Sequence, residues 1–77
     1  MNAGQEQFYN YVIPLATEGK EEELKAIVLE NFKRQDEGTA TKEFMMEQGP
    51  KLIACLKEEY REQFMANMAH FMSTLPN

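Results

Sequence analysis

The sequence predicts an all-α fold: a compact arrangement of four helices forming one small domain over residues 1–77. Three observations predict it. Apolar residues recur at helical spacing along four stretches, and single glycines or a Gly-Pro pair punctuate them. The second stretch also opens on acid and closes on base. The expected helices span about 5–17, 21–35, 42–56 and 58–74, pairing as two αα-hairpins whose first helices are kinked by proline.

The last stretch carries the strongest pattern. On a helical wheel Tyr60, Phe64, Met68, Phe71 and Leu75 fall within an arc of about 60°, flanked by Met65 and Met72. Glu59, Gln63, Ala66 and His70 occupy the other side. A helix with such a stripe gains its stability from packing. The rest of the chain is therefore expected to cover it.

Taken in order, Met1 to Gly4 reads as a loosely held start. From Gln5 onward Phe8, Tyr11, Val12 and Leu15 share a face, with Ala16 at its edge. Pro14 removes a backbone hydrogen bond and crowds the carbonyl of Asn10, which predicts a kink. Glu18-Gly19-Lys20 reads as a turn, Gly19 suiting the left-handed conformation that ends a helix.

Glu21 to Gln35 follows as a helix, its three leading glutamates and closing Lys33-Arg34 complementing the helix dipole. Leu24, Ile27, Val28, Leu29 and Phe32 spread over about 200° of arc, which predicts more than one packing neighbour. Asp36-Glu37-Gly38-Thr39 reads as a loop, with Gly38 just past the helix end and Thr39 or Thr41 capping the next one.

In Lys42 to Leu56 the residues Phe44, Met45, Gln48, Leu52 and Leu56 keep one phase on both sides of Gly49-Pro50. That favours one kinked helix over two pieces. Its border with the last helix is weakly marked, since no glycine or proline lies between Pro50 and Pro76. A continuous helix from Leu52 to Thr74 is the alternative.

A faint repeat runs through the chain. An offset of 36 residues sets Phe8 on Phe44, Pro14 on Pro50, Glu22-Glu23 on Glu58-Glu59 and Asn31 on Asn67. Apolar positions follow, Val28 with Phe64 and Phe32 with Met68. Two amphipathic helix pairs align this way without common origin, so duplication and coincidence both remain open. Under duplication Asn31 and Asn67 are equivalent polar residues at the edges of apolar stripes. There they either fix helix register or face water.

Composition narrows the function classes. Hydrophobic content of 43% and charged content of 27% are those of a globular chain rather than a disordered one. A net charge of −5, with no basic cluster beyond Lys33-Arg34, disfavours nucleic acid and anionic membrane as partners. Cys55 is the only cysteine and has no internal disulfide partner. With no signal-like or membrane-spanning run, a cytoplasmic location is expected.

Chemistry finds few footholds, and neither an enzyme nor a cofactor is expected. Di-metal sites in helical bundles need histidine three residues after two of their glutamates, whereas the one histidine, His70, follows Asn67. Met65, Met68, His70 and Met72 offer soft ligands, but His70 points roughly 140–160° away from Met65 and Met72. Cys55 falls on an expected buried face, and Ser73, the only serine, has no base arranged around it. The four glycines are scattered singly, so no phosphate loop exists.

The methionines are the compositional oddity, six in the chain with five in its second half. Met46 and Ile53 on the third helix, and Met65 and Met72 on the fourth, lie at the far edges of the apolar arcs. They form the candidate partner-binding residues, extending the core edge into a groove or self-association face. The leading expectation is thus a non-enzymatic helical protein acting by homodimerisation or by binding another protein. One alternative is an apolar small-molecule binder with a pocket between kinked helices and polar contacts from Tyr9, Tyr11 or Gln48. The other is an acidic decoy for a basic protein partner.

Overall fold

The computed structural model of the chain describes residues 1–74, including all of their side chains except those of Phe71, Met72 and Thr74. Of the expected stripe, Leu75 lies outside the described residues and Phe71 and Met72 outside the described side chains. Four α-helices form: α1 (Ala3–Val12), α2 (Glu21–Glu37), α3 (Lys42–Ala54) and α4 (Glu58–Thr74). A 3-10 turn (Ile13–Leu15) extends α1. The Cα radius of gyration, 12.0 Å, is close to the roughly 11–12 Å of a compact domain of this length.

The chain start is ordered, contrary to the loose reading of Met1 to Gly4. The Asn2 side chain accepts from the Gln5 N–H at 2.8 Å, and the Gln5 side chain accepts from the Asn2 N–H at 3.1 Å. This reciprocal pair satisfies two donors that a helix start otherwise leaves open, so α1 begins at Ala3. It also ends sooner than residue 17. Pro14 sits in the first turn of the 3-10 piece, where the lack of an N–H removes no helical bond. The chain therefore changes helix type there instead of running on as one kinked helix.

Past the turn at Gly19 (φ +87°), α2 runs two residues beyond its expected end and stops at Gly38 (φ +74°), whose N–H reaches the Arg34 and Gln35 carbonyls. Thr41 is the cap of α3, accepting from the Phe44 N–H at 3.1 Å. Pro50 lies inside α3, which continues from Lys42 to Ala54 as one element. Since α3 packs against both α2 and α4, contacts run from one expected hairpin into the other.

The break between α3 and α4 is real, and tertiary contacts make it. Ala16 and Leu56 form an isolated antiparallel bridge: the Thr17 N–H donates to the Cys55 carbonyl at 2.8 Å, and the Lys57 N–H donates to that of Leu15 at 3.0 Å. Arg61 then reaches back from α4, its guanidinium donating to the Leu56 carbonyl at 3.0 Å and the Ala54 carbonyl at 3.4 Å. Carbonyls left open at the end of α3 are thereby satisfied, so the chain can leave the helix at Cys55 without stranding polar groups.

Around this clasp sit the most deeply buried side chains, Val12, Leu24, Val28, Cys55 and Leu56. The centre of the core is thus where the end of α1, the start of α2 and the end of α3 meet. It is not the α4 stripe, from which Phe64 alone is buried among the described residues. Each fully buried Leu contributes roughly 1.5–3 kcal/mol, a large share of the 5–15 kcal/mol typical of a whole domain. Replacing Leu24 with Ala is expected to lower unfolding free energy by about 2–5 kcal/mol, read from urea denaturation. A loss below 1 kcal/mol would show that the core is centred elsewhere.

Candidate functional site

At the end of the bundle away from the clasp the helices do not close on one another. A cleft of about 540 Å³ lies between all four. Its apolar wall is built from Phe8 of α1, Val28 and Phe32 of α2, and Phe64 and Met68 of α4. Helix α3 adds Met45, Leu52 and Ile53. The volume is in the range of small-molecule sites.

Ring contacts hold α1 in place along this gap. Phe8 meets Phe32 edge-on at 6.2 Å between ring centroids, and Tyr11 stacks on Phe64 at 6.1 Å with an interplanar angle of 14°. On the facing side Gly49 lets α4 approach α3. A methyl group there would overlap the Met68 sulfur, and in a helix it would also crowd the ring of Pro50.

The polar part of the lining is unusual in kind. It consists of carboxamides, namely Asn2, Gln5, Asn31, Gln35, Gln48 and Asn67, and no charged side chain lines the cleft among the described residues. In a chain with 27% charged residues this neutrality is a property of the site. Asn31, 7% exposed, donates through Nδ2 to the Ile27 carbonyl at 2.8 Å. A carbonyl can only accept, so this bond fixes the amide's orientation and leaves Oδ1 as an acceptor. The Gln5 Nε2 donates to Gln35 Oε1 and Asp36 Oδ1, each at 3.3 Å. The Asp36 carboxylate is therefore engaged by a residue of the lining. No side-chain hydrogen bond engages Gln48 or Asn67 among the described residues.

The faint repeat reappears here. Val28, Asn31 and Phe32 of α2 and their counterparts at an offset of 36, Phe64, Asn67 and Met68 of α4, all line the one cleft. That shared register is the signal in the sequence from which the site could have been found, although on its own it reads only as a mark of duplication.

The residues expected to bind a partner fall in different places. Met46 and Met65 are 60% and 50% exposed and line no part of the cleft. Ile53, at 8% exposed, belongs to the core and to the cleft floor rather than to an outer edge. Burial of the α3 end against the clasp draws it inward. Met72 lies outside the described side chains. Of the polar contacts expected for a small ligand, Gln48 lines the cleft. Tyr9 instead packs on the core, and Tyr11 is spent on Phe64.

No group of three His, Cys, Asp or Glu converges to hold a metal among the described residues, and His70 is exposed. No described helix is long and apolar enough to cross a membrane. No protein-family model, curated protein or solved structure matches the chain.

Cys55 is buried, and its thiol is pushed above the ordinary range, first by burial and then by the charge of Glu23. The unfolded chain ionises at the ordinary thiol value while the folded one does not. Stability from this group is thus full below that value and declines as pH rises through it toward the folded one. At about pH 8.5, near the free thiol value, iodoacetamide should alkylate Cys55 slowly in the native protein and rapidly in urea, as followed by mass. Equal rates in both would show an open, ionised thiol.

Proposed function

We propose that this chain is a non-enzymatic binding protein whose working part is the uncharged cleft, and that it takes an apolar small molecule there. The observation that carries this reading is the cleft itself: about 540 Å³ of space between four helices in a chain too small to leave its interior open idly. A site of that volume, mostly apolar with a few fixed polar groups, has the form of a ligand pocket. The lone buried Cys55 suits a reducing compartment, and we place the protein in the cytoplasm.

Nile red, an uncharged dye, tests the reading. It should bind saturably with one site per chain and a blue-shifted emission. Asn67→Trp, at an exposed position on the cleft rim, should weaken binding at least tenfold without changing the helical melting curve. Absence of saturable binding, or binding that ignores this substitution, removes the cleft as the working site.

Met46 and Met65 favour a second reading, because both are exposed on helices that contribute to the bundle and neither serves the cleft. Methionine adapts to varied surfaces, so the pair suits a face for a second copy or another protein. Light scattering over a dilution series should then show mass rising above 9.0 kDa with concentration, and Met46→Lys with Met65→Lys should suppress the rise. A constant monomer mass excludes the homodimer.

A further inference from the structure

The chemistry of the lining narrows what the cleft accepts, and this step rests on the ligand-binding reading above. We infer that the ligand is an uncharged aromatic compound bearing one group that both donates and accepts a hydrogen bond, such as a primary amide, and that Asn31 and Asn67 recognise that group.

Neutrality follows from the lining. An anion would enter a chain of net charge −5 and find no Lys or Arg on the cleft wall. A cation would find no carboxylate among the described residues of the lining, and Asp36, outside it, accepts from Gln5. A charge stripped of water without a partner is strongly penalised, so ionised ligands of either sign are rejected.

Polarity of the right kind is present nonetheless. Asn31 offers an acceptor: one N–H of its Nδ2 is committed to the Ile27 carbonyl, which orients the amide, and its Oδ1 has no hydrogen-bond partner among the described residues. Asn67 stands at the matching position on α4, and its carboxamide can donate and accept. A ligand group with both functions can meet the Asn31 oxygen and both ends of the Asn67 carboxamide, whereas one that only donates leaves the Asn67 N–H groups unmet and one that only accepts leaves the Asn31 oxygen unmet.

The preference for a flat aromatic body comes from the walls. Phe8, Phe32 and Phe64 reach the cleft from three different helices, with Met45 and Met68 between them. Ring faces and edges together with thioether sulfur favour aromatic guests beyond the gain from burial alone.

Three probes sharing one ring system separate these claims: naphthalene, 2-naphthamide and 2-naphthoate, titrated into the full chain at neutral pH and followed by calorimetry. The expected order is 2-naphthamide tightest, naphthalene weaker, and 2-naphthoate weaker than the amide by at least tenfold. Asn67→Leu keeps an exposed helical position filled and should weaken 2-naphthamide about three- to tenfold, the worth of one neutral hydrogen bond. It should leave naphthalene unchanged or improved, and Asn67→Gln should restore the amide. If 2-naphthoate binds as well as 2-naphthamide, or if Asn67→Leu weakens naphthalene equally, recognition by the asparagines is refuted while the cleft stands. If no probe binds and Nile red does not either, the cleft reading itself falls.

Discussion

The structure depends on a two-bond backbone clasp. Thr17 and Lys57 donate across to Cys55 and Leu15, and that pairing fixes the end of α1 against the junction of α3 and α4. Every helix has one terminus at this point: α1 and α3 end there, α2 and α4 begin there. Val12, Leu24 and Leu56 are fully buried. A chain of 77 residues cannot bury a large core, and this one concentrates its burial at one end. The far end is left to splay, and the cleft is the result.

That division explains which features could be read from sequence. Helices, turns and caps are local matters, so Gly19, Gly38 and Thr41 announced their roles through backbone chemistry alone. The acid-to-base order of α2 and its wide apolar arc were equally direct, and Leu24, Val28 and Phe32 are buried against more than one neighbour. The clasp was not legible, because main-chain pairing between residues 15–17 and 55–57 leaves no side-chain signature. Without it the border of α3 and α4 looked unmarked and Ile53 looked peripheral. The capping box at Asn2 and Gln5 is legible too, but the apolar period that marks a helix from Gln5 onward carries no sign of it, so the helix begins two residues earlier than periodicity alone indicates.

The cleft was half legible. A helical wheel names the residues that face inward; it does not say whether the facing surfaces meet. Three contacts decide that they do not. Phe8 and Tyr11 prop α1 on the rings of Phe32 and Phe64 at centroid distances above 6 Å, where smaller side chains would have interlocked. Gly49 admits Met68 on the other side and draws α4 toward α3. One pair of helices is thus held apart and another drawn together, and a gap opens between them.

The carboxamides fit this geometry for a physical reason. An apolar gap partly open to water tolerates side chains that are polar, uncharged and able to bond either way, because they lose far less than charges do when solvent leaves. Charged residues at the same positions would either keep water in or remain unpaired when it left. Asn31 shows the principle most clearly: it is nearly buried, yet its bond to the Ile27 carbonyl settles one half of the amide and orients the other. Gln5 does the same at the rim by holding Asp36 and Gln35. The part of the lining around Asn31 and Gln5 is therefore arranged by the chain's own hydrogen bonds, and side chains already ordered have less freedom left to lose.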